Sequence, residues 1–146
     1  MKWSRMLLVL PVVAMLGCAG MAARSAARTQ RAAAARQAAY DVTRSEMVKA
    51  MLGVVTQNYA LAVYAEDRGL FESEWATQNR GGMQFQVKIS GQIIGNGPYR
   101  VDFRATVRQQ DSSGNWSIGE GKPYEDELYS ALYDELRDHV VAQSPS

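Results

Sequence analysis

The chain has 146 residues, with one Cys, one His, 16 Lys or Arg and 15 Asp or Glu. One cysteine excludes an intramolecular disulfide and a multi-thiolate metal site, and one histidine excludes a two-His zinc site. A net charge of +1 gives no global reason to expect a nucleic-acid partner, and 47% apolar residues suffice to build a core.

Residues 1–17 read as an export signal. Lys2 and Arg5 form a positive start, and Met6 to Leu16 is an uncharged run of 11 residues. A membrane-spanning helix needs about 20 such residues, so the run suits a signal peptide better. Met15-Leu16-Gly17-Cys18 then resembles a bacterial lipobox, with Gly before the Cys and an aliphatic-type residue three places before it. The resemblance implies transfer of diacylglycerol to the Cys18 thiol, cleavage before Cys18 and a covalent lipid anchor. No other cofactor is expected. Two or three acyl chains anchor firmly, at about 0.8 kcal/mol per buried methylene. Ala19 follows the Cys. In Gram-negative lipoproteins an Asp there favours inner-membrane retention, so the resemblance implies the outer membrane, facing the periplasm.

Residues 18–40 read as an acylated Cys and a tether. From 19 to 40, 11 of 22 residues are Ala, and the charges are Arg24, Arg28, Arg31 and Arg36. Helix propensity is high, but there is little bulk to build a core. As a helix, the segment puts Arg24, Arg28 and Arg31 on one face, with Arg36 to the side. Such a basic stalk suits either anionic headgroups near the membrane or a plain soluble spacer. The remainder, residues 41–146, carries ten Lys or Arg and fifteen Asp or Glu, a net charge of −5. The near-neutral total therefore hides an acidic domain on a basic stalk.

The domain is expected over 41–142, with a frayed tail at 143–146. Thr43 and Glu46 have the spacing of a capping box, Val42 and Met47 that of a hydrophobic staple, and Asn58 suits a left-handed helix end. Period-two alternation then predicts strands at Tyr59 to Glu66, Leu70 to Gln78, Met83 to Ile89 and Tyr99 to Gln109. In the second strand Phe71, Ser73 and Trp75 are expected on one face. Gly91 to Pro98 reads as a Gly-rich connection carrying Ile93 and Ile94, either exposed at a tip or buried in a bend. Trp116 to Ile118 is a candidate edge strand. Pro123, Glu125, Asp126 and Glu127 start a last helix whose stripe is Leu128, Leu132, Leu136 and Val140.

The expected fold is α+β. It is a two-layer sandwich with a four- or five-stranded antiparallel meander and both an N-terminal and a C-terminal helix on one face. The rhythm Asn58-Tyr59, Tyr64-Ala65-Glu66, then Asp67-Arg68-Gly69-Leu70-Phe71-Glu72-Ser73-Glu74-Trp75 resembles small accessory envelope-lipoprotein domains. The accessory lipoprotein C of the outer-membrane β-barrel assembly machine is of that kind. The resemblance implies a helix-capped antiparallel sheet and a non-enzymatic scaffold role. This chain differs in having one domain and an Ala-Arg tether.

Catalytic constellations are not expected. His139 sits near a helix end with no Ser or Cys nucleophile beside it, and Glu72 and Glu74 lie two apart on one strand, as solvating residues do. The glycines of 91–97 lack the Lys-Ser/Thr of a phosphate loop. Tyr124, Tyr129, Tyr133 and Trp116 read either as core or as a stacking surface. The candidate docking surface is the solvent side of the sheet: Glu72, Glu74, Gln84, Gln86, Lys88, Arg100, Asp102, Arg104 and Arg108. The leading expectation is a lipid-anchored module that binds other envelope proteins, with no metal and no nucleic-acid partner. The alternative is a carrier or sensor of a small apolar ligand held between helices and sheet.

Overall fold

The computed structural model describes residues 16–141. The greater part of the signal segment, the tail at 143–146 and the Cys18 side chain lie outside the described residues. The fold is α+β. Helix α1 (Leu16–Gln37) leads through β1 (Ala39–Tyr40) to α2 (Arg44–Thr56). Then come β2 (Leu61–Ala65), β3 (Leu70–Ser73), β4 (Ala76–Arg80), β5 (Met83–Ile94), β6 (Arg100–Gln110) and β7 (Trp116–Ile118). Helix α3 (Lys122–Glu135), a 3₁₀ turn (Arg137–His139) and β8 (Val140–Val141) complete the order. The main sheet is antiparallel, in the order β2-β3-β5-β6-β7, and β4 also pairs with β5.

Thr43 caps α2 as the sequence predicts. Its hydroxyl accepts from the Glu46 N–H, and the Glu46 carboxylate accepts from the Thr43 N–H at 2.8 Å. Both orphan donors are satisfied, which fixes where the helix begins. The other end differs from expectation: the cap is Gln57 in right-handed geometry, and Asn58 has no positive φ.

The predicted strand over 70–78 is two strands. β3 pairs with β5 at 90–92, β4 pairs with β5 at 83–87, and Glu74 and Trp75 form the break between them. Phe71 and Ser73 face inward, but Trp75 leaves that face. The Ser73 hydroxyl accepts from the Ile89 N–H at 2.9 Å, so a buried side chain stands in for a missing ladder bond. Gly81 and Gly82, both at positive φ, close the two-residue hairpin from β4 to β5.

The expected Gly-rich connection begins too early. β5 continues to Ile94, with Ile93 buried and Ile94 exposed. Gly91 is a strand residue because the Phe71 ring occupies its side-chain space: a Cβ there would lie 2.3 Å from Phe71 Cε1.

Three helices, not two, cover one face of the sheet. Met47, Met51, Val54 and Val55 of α2 pack with Leu128, Tyr129 and Leu132 of α3 and with Phe71, Val87, Ile89 and Phe103 below. Ala35, Ala38 and Tyr40 belong to the same core, and Ala32 is buried beside them. The segment expected as a tether therefore divides. Residues 22–31 are exposed, while from 32 onward the chain is part of the folded unit. Bulk was not needed there, because small side chains let α1 approach α3 closely.

The last helix also ends earlier than its stripe predicts. Leu136 closes α3, and Val140 pairs with Tyr40 in a two-stranded ribbon that joins the two ends of the domain. Tyr40 and Tyr99 exchange backbone hydrogen bonds at 2.8 and 3.0 Å, which docks this ribbon beside the start of β6.

Candidate functional site

The register of the central strands decides what the open face carries. Gln86 lies opposite Arg108, Lys88 opposite Thr106, Ser90 opposite Arg104 and Gln92 opposite Asp102. Ile94 lies opposite Arg100, Gln84 opposite Gln110, and Glu72 opposite Ser90 on the other side. Directly opposed residues share a face. Glu72, Gln84, Gln86, Lys88, Arg100, Asp102, Arg104 and Arg108 therefore come together on the side away from the helices. Glu74 does not join them, because it lies in the break between β3 and β4 and donates its N–H to the Ala60 carbonyl at 2.8 Å.

Several of these charges are spent within the face. Lys88 meets the Glu72 carboxylate across two strands, and Arg104 meets Asp102 at 3.1 Å. Both pairs are solvent-accessible and contribute little to stability.

Three residues outside the expected surface change its character. Trp75, turned outward by the strand break, lies under the Arg108 guanidinium at 4.3 Å from the ring centroid. The ring of Trp116 in β7 lies 4.9 Å from the same guanidinium. Lys88 Nζ is 5.9 Å from the Trp75 ring, which extends the stack by one more cation. Arg108 Nε donates to Gln86 Oε1 at 2.6 Å, which fixes the guanidinium in its plane. Trp75 is 39% exposed, Trp116 41% and Ile118 94%. An indole face attracts a cation through its quadrupole, so this Trp-Arg-Trp stack holds together while leaving apolar surface in water.

The tyrosines have a different place. Tyr129 is buried on the helix side, edge-on to Phe103 at 5.1 Å between ring centroids. Its hydroxyl accepts from the Phe103 N–H at 2.9 Å and donates to Asp102 Oδ1 at 3.4 Å. Burial pushes its phenol above the ordinary tyrosine value. Glu125 Oε1 accepts from the Ala105 N–H at 3.0 Å. These two side chains of α3 thus satisfy the free edge of β6, which would otherwise invite pairing with another strand.

The same carboxylate fastens α1. Arg36 binds Glu125 Oε2 at 3.0 Å and Asp126 Oδ1 at 2.7 Å, and stacks on Tyr129 at 4.7 Å. Burial pulls the Arg36 guanidinium down, but the hydrogen bonds to Asp126 and Glu125 outweigh it and hold it above the ordinary arginine value. Arg31 pairs with Asp134 at 3.3 Å. Of the four stalk arginines, Arg31 and Arg36 therefore bind the domain itself, while Arg24 and Arg28 line an open groove between α1 and α3.

A second open groove runs between α2 and the end of α3, past Val42, Lys49, Gly53, Leu136 and His139. Of the sheet only Arg80, at an exposed strand end, lines either groove, and the layer between helices and sheet is filled by the core side chains named above. Among the described residues no group of three or more His, Cys, Asp or Glu is placed to hold a metal ion. No described helix is long and apolar enough to cross a membrane.

Sequence reasoning missed Trp75 and Ile118 as site residues and assigned Trp116 only a loose stacking role among the tyrosines. Their signal lay in the break before β4 and in the register of β7, which bring both rings to Arg108. The chain matches no model of a known protein family and no curated protein.

Proposed function

We propose that the protein is a lipid-anchored envelope lipoprotein whose domain is a non-enzymatic docking module for other envelope proteins. The observation that carries the docking part is the open sheet face: a hydrogen-bond-rich polar surface with two half-exposed tryptophans and an almost fully exposed isoleucine at one end. Large aromatic and arginine side chains presented together in this way are what protein interfaces use as anchors. Tyr129 and Glu125 block the edge of β6, so the face of the sheet is the better route for a partner than strand addition at that edge.

The anchor part is carried by the position of Cys18, the single cysteine of the chain, at the end of the lipobox-like segment. Helix α1 then supplies reach with direction. From Cys18 to Arg31, the first arginine tied to the domain, a helix rises about 20 Å. A helix of that length holds a domain off a lipid surface while keeping it within a thin layer, which raises its effective concentration near membrane partners.

Radiolabelled acyl-chain incorporation and membrane fractionation of the wild type and Cys18→Ser test the anchor. Label and membrane retention in the wild type, both lost in the variant, are expected. Identical behaviour without label in either would refute it.

A further inference from the structure

We infer that the Trp75-Arg108-Trp116 stack reads an acidic, extended segment of a partner protein, with a carboxylate meeting the outward N–H groups of Arg108. This rests on the docking reading above and names the chemistry of the partner.

The guanidinium is already immobilised. Two indole rings lie 4.3 and 4.9 Å from it, and Nε is held by Gln86 at 2.6 Å. Its terminal nitrogens have no hydrogen-bond partner among the described residues. A fork held in one orientation with its terminal donors free is suited to a carboxylate, and little side-chain entropy remains to be lost on binding.

Charge points to the same partner. On the helix side the α3 carboxylates Glu125, Asp126 and Asp134 are already paired with Arg36 and Arg31. On the open face Glu72 offsets Lys88 and Asp102 offsets Arg104, leaving Arg100 and Arg108 without an ion pair among the described residues. An acidic segment is thus attracted to this face.

The surroundings favour protein over glycan. Ile118 lies opposite Arg108 in the sheet and is 94% exposed, next to Trp116. A branched aliphatic side chain beside an indole offers nothing to sugar hydroxyls, but it is covered well by the apolar side chains of a peptide.

The test uses the acylated chain from Cys18 onward in detergent micelles, in which Trp75 and Trp116 are the tryptophans. Their emission is titrated with a short, end-capped peptide of alternating Glu and Val. A saturable change is expected, with none from the matching Lys-Val peptide. Arg108→Gln is expected to weaken binding by about tenfold or more, and Arg100→Gln by less than about twofold. Ile118→Glu, at a surface position that cannot perturb folding through burial, is expected to weaken it by about fivefold. The inference is overturned if neither peptide changes the emission at millimolar concentration, if the Lys-Val peptide binds as well, if both Arg108→Gln and Ile118→Glu bind like the parent, or if oligogalacturonate competes more tightly than the Glu-Val peptide. Wild-type crosslinks from this face to envelope proteins, combined with any of those results, would leave the docking reading in place and remove only this partner chemistry.

Discussion

Phe103 and Arg104 are neighbours in β6, yet one is fully buried and the other exposed. The whole sheet repeats that division. On the helix side, Phe71, Val87, Ile89, Val101, Phe103 and Val107 form one core with the three helices. On the other, Gln86, Lys88, Ser90, Arg100, Arg104 and Arg108 face water. The two faces use the same backbone and the same ladder, so their difference lies in side chains alone. The covered face is where stability is concentrated, and the open face is free to serve recognition.

Substitutions on adjacent residues separate those roles. Phe103→Ala is expected to destabilise the domain by about 3–5 kcal/mol, read from urea unfolding, because the ring contacts both Phe71 and Tyr129. Gly91→Ala forces a methyl into the Phe71 ring and is expected to cost about 1–3 kcal/mol by the same measurement. Glu125→Ala orphans the Ala105 N–H and removes one partner of Arg36, with an expected loss of about 2 kcal/mol. Thr43→Ala removes the α2 cap, at about 1 kcal/mol. Arg104→Ala, on the open face beside Phe103, is expected to stay within about 0.5 kcal/mol of the parent. A large effect of Arg104→Ala would break the comparison.

Titration sharpens the comparison in a second way. The hydrogen bonds from Thr43 hold the Glu46 carboxylate below its ordinary value, and the Asn115 and Ser113 N–H groups do the same for Asp111. A depressed carboxylate contributes stability that is present above its ordinary value and lost as pH falls through its lowered one. Stability is therefore expected to decline on acidification below the ordinary carboxylate range, and Glu46→Gln to flatten part of that decline. On the helix side, burial pushes the Tyr40 phenol up to about 12. Ultraviolet titration is expected to show this tyrosine ionising at about pH 12, above the ordinary tyrosine value.

The particular elements also show how far the sequence reaches. The capping box of α2, the alternation of β5 as far as Ile89 and that of β6 are local signals, and each was legible. So was the polar face they imply, apart from Glu74. The division of 70–78 into two strands was not, because Phe71, Ser73 and Trp75 alternate without interruption. The break turns Trp75 outward, and what receives it there is Arg108, more than 30 positions away, which no local pattern reports. Gly91 to Ile94 read as a loop because the ring that fills the space over Gly91 belongs to another strand. The docking of α1 was hidden for a different reason. Alanine carries no burial signal of its own, and the partners of Arg36 lie about ninety residues further along the chain.

The claim that a protein partner meets the open face is tested most directly by site-specific photocrosslinking in intact cells. A photoreactive residue in place of Ile118 is expected to join the chain to an envelope protein, and the same residue in place of exposed Glu127 on α3 is not. Crosslinks from position 127 with none from position 118 would contradict the account.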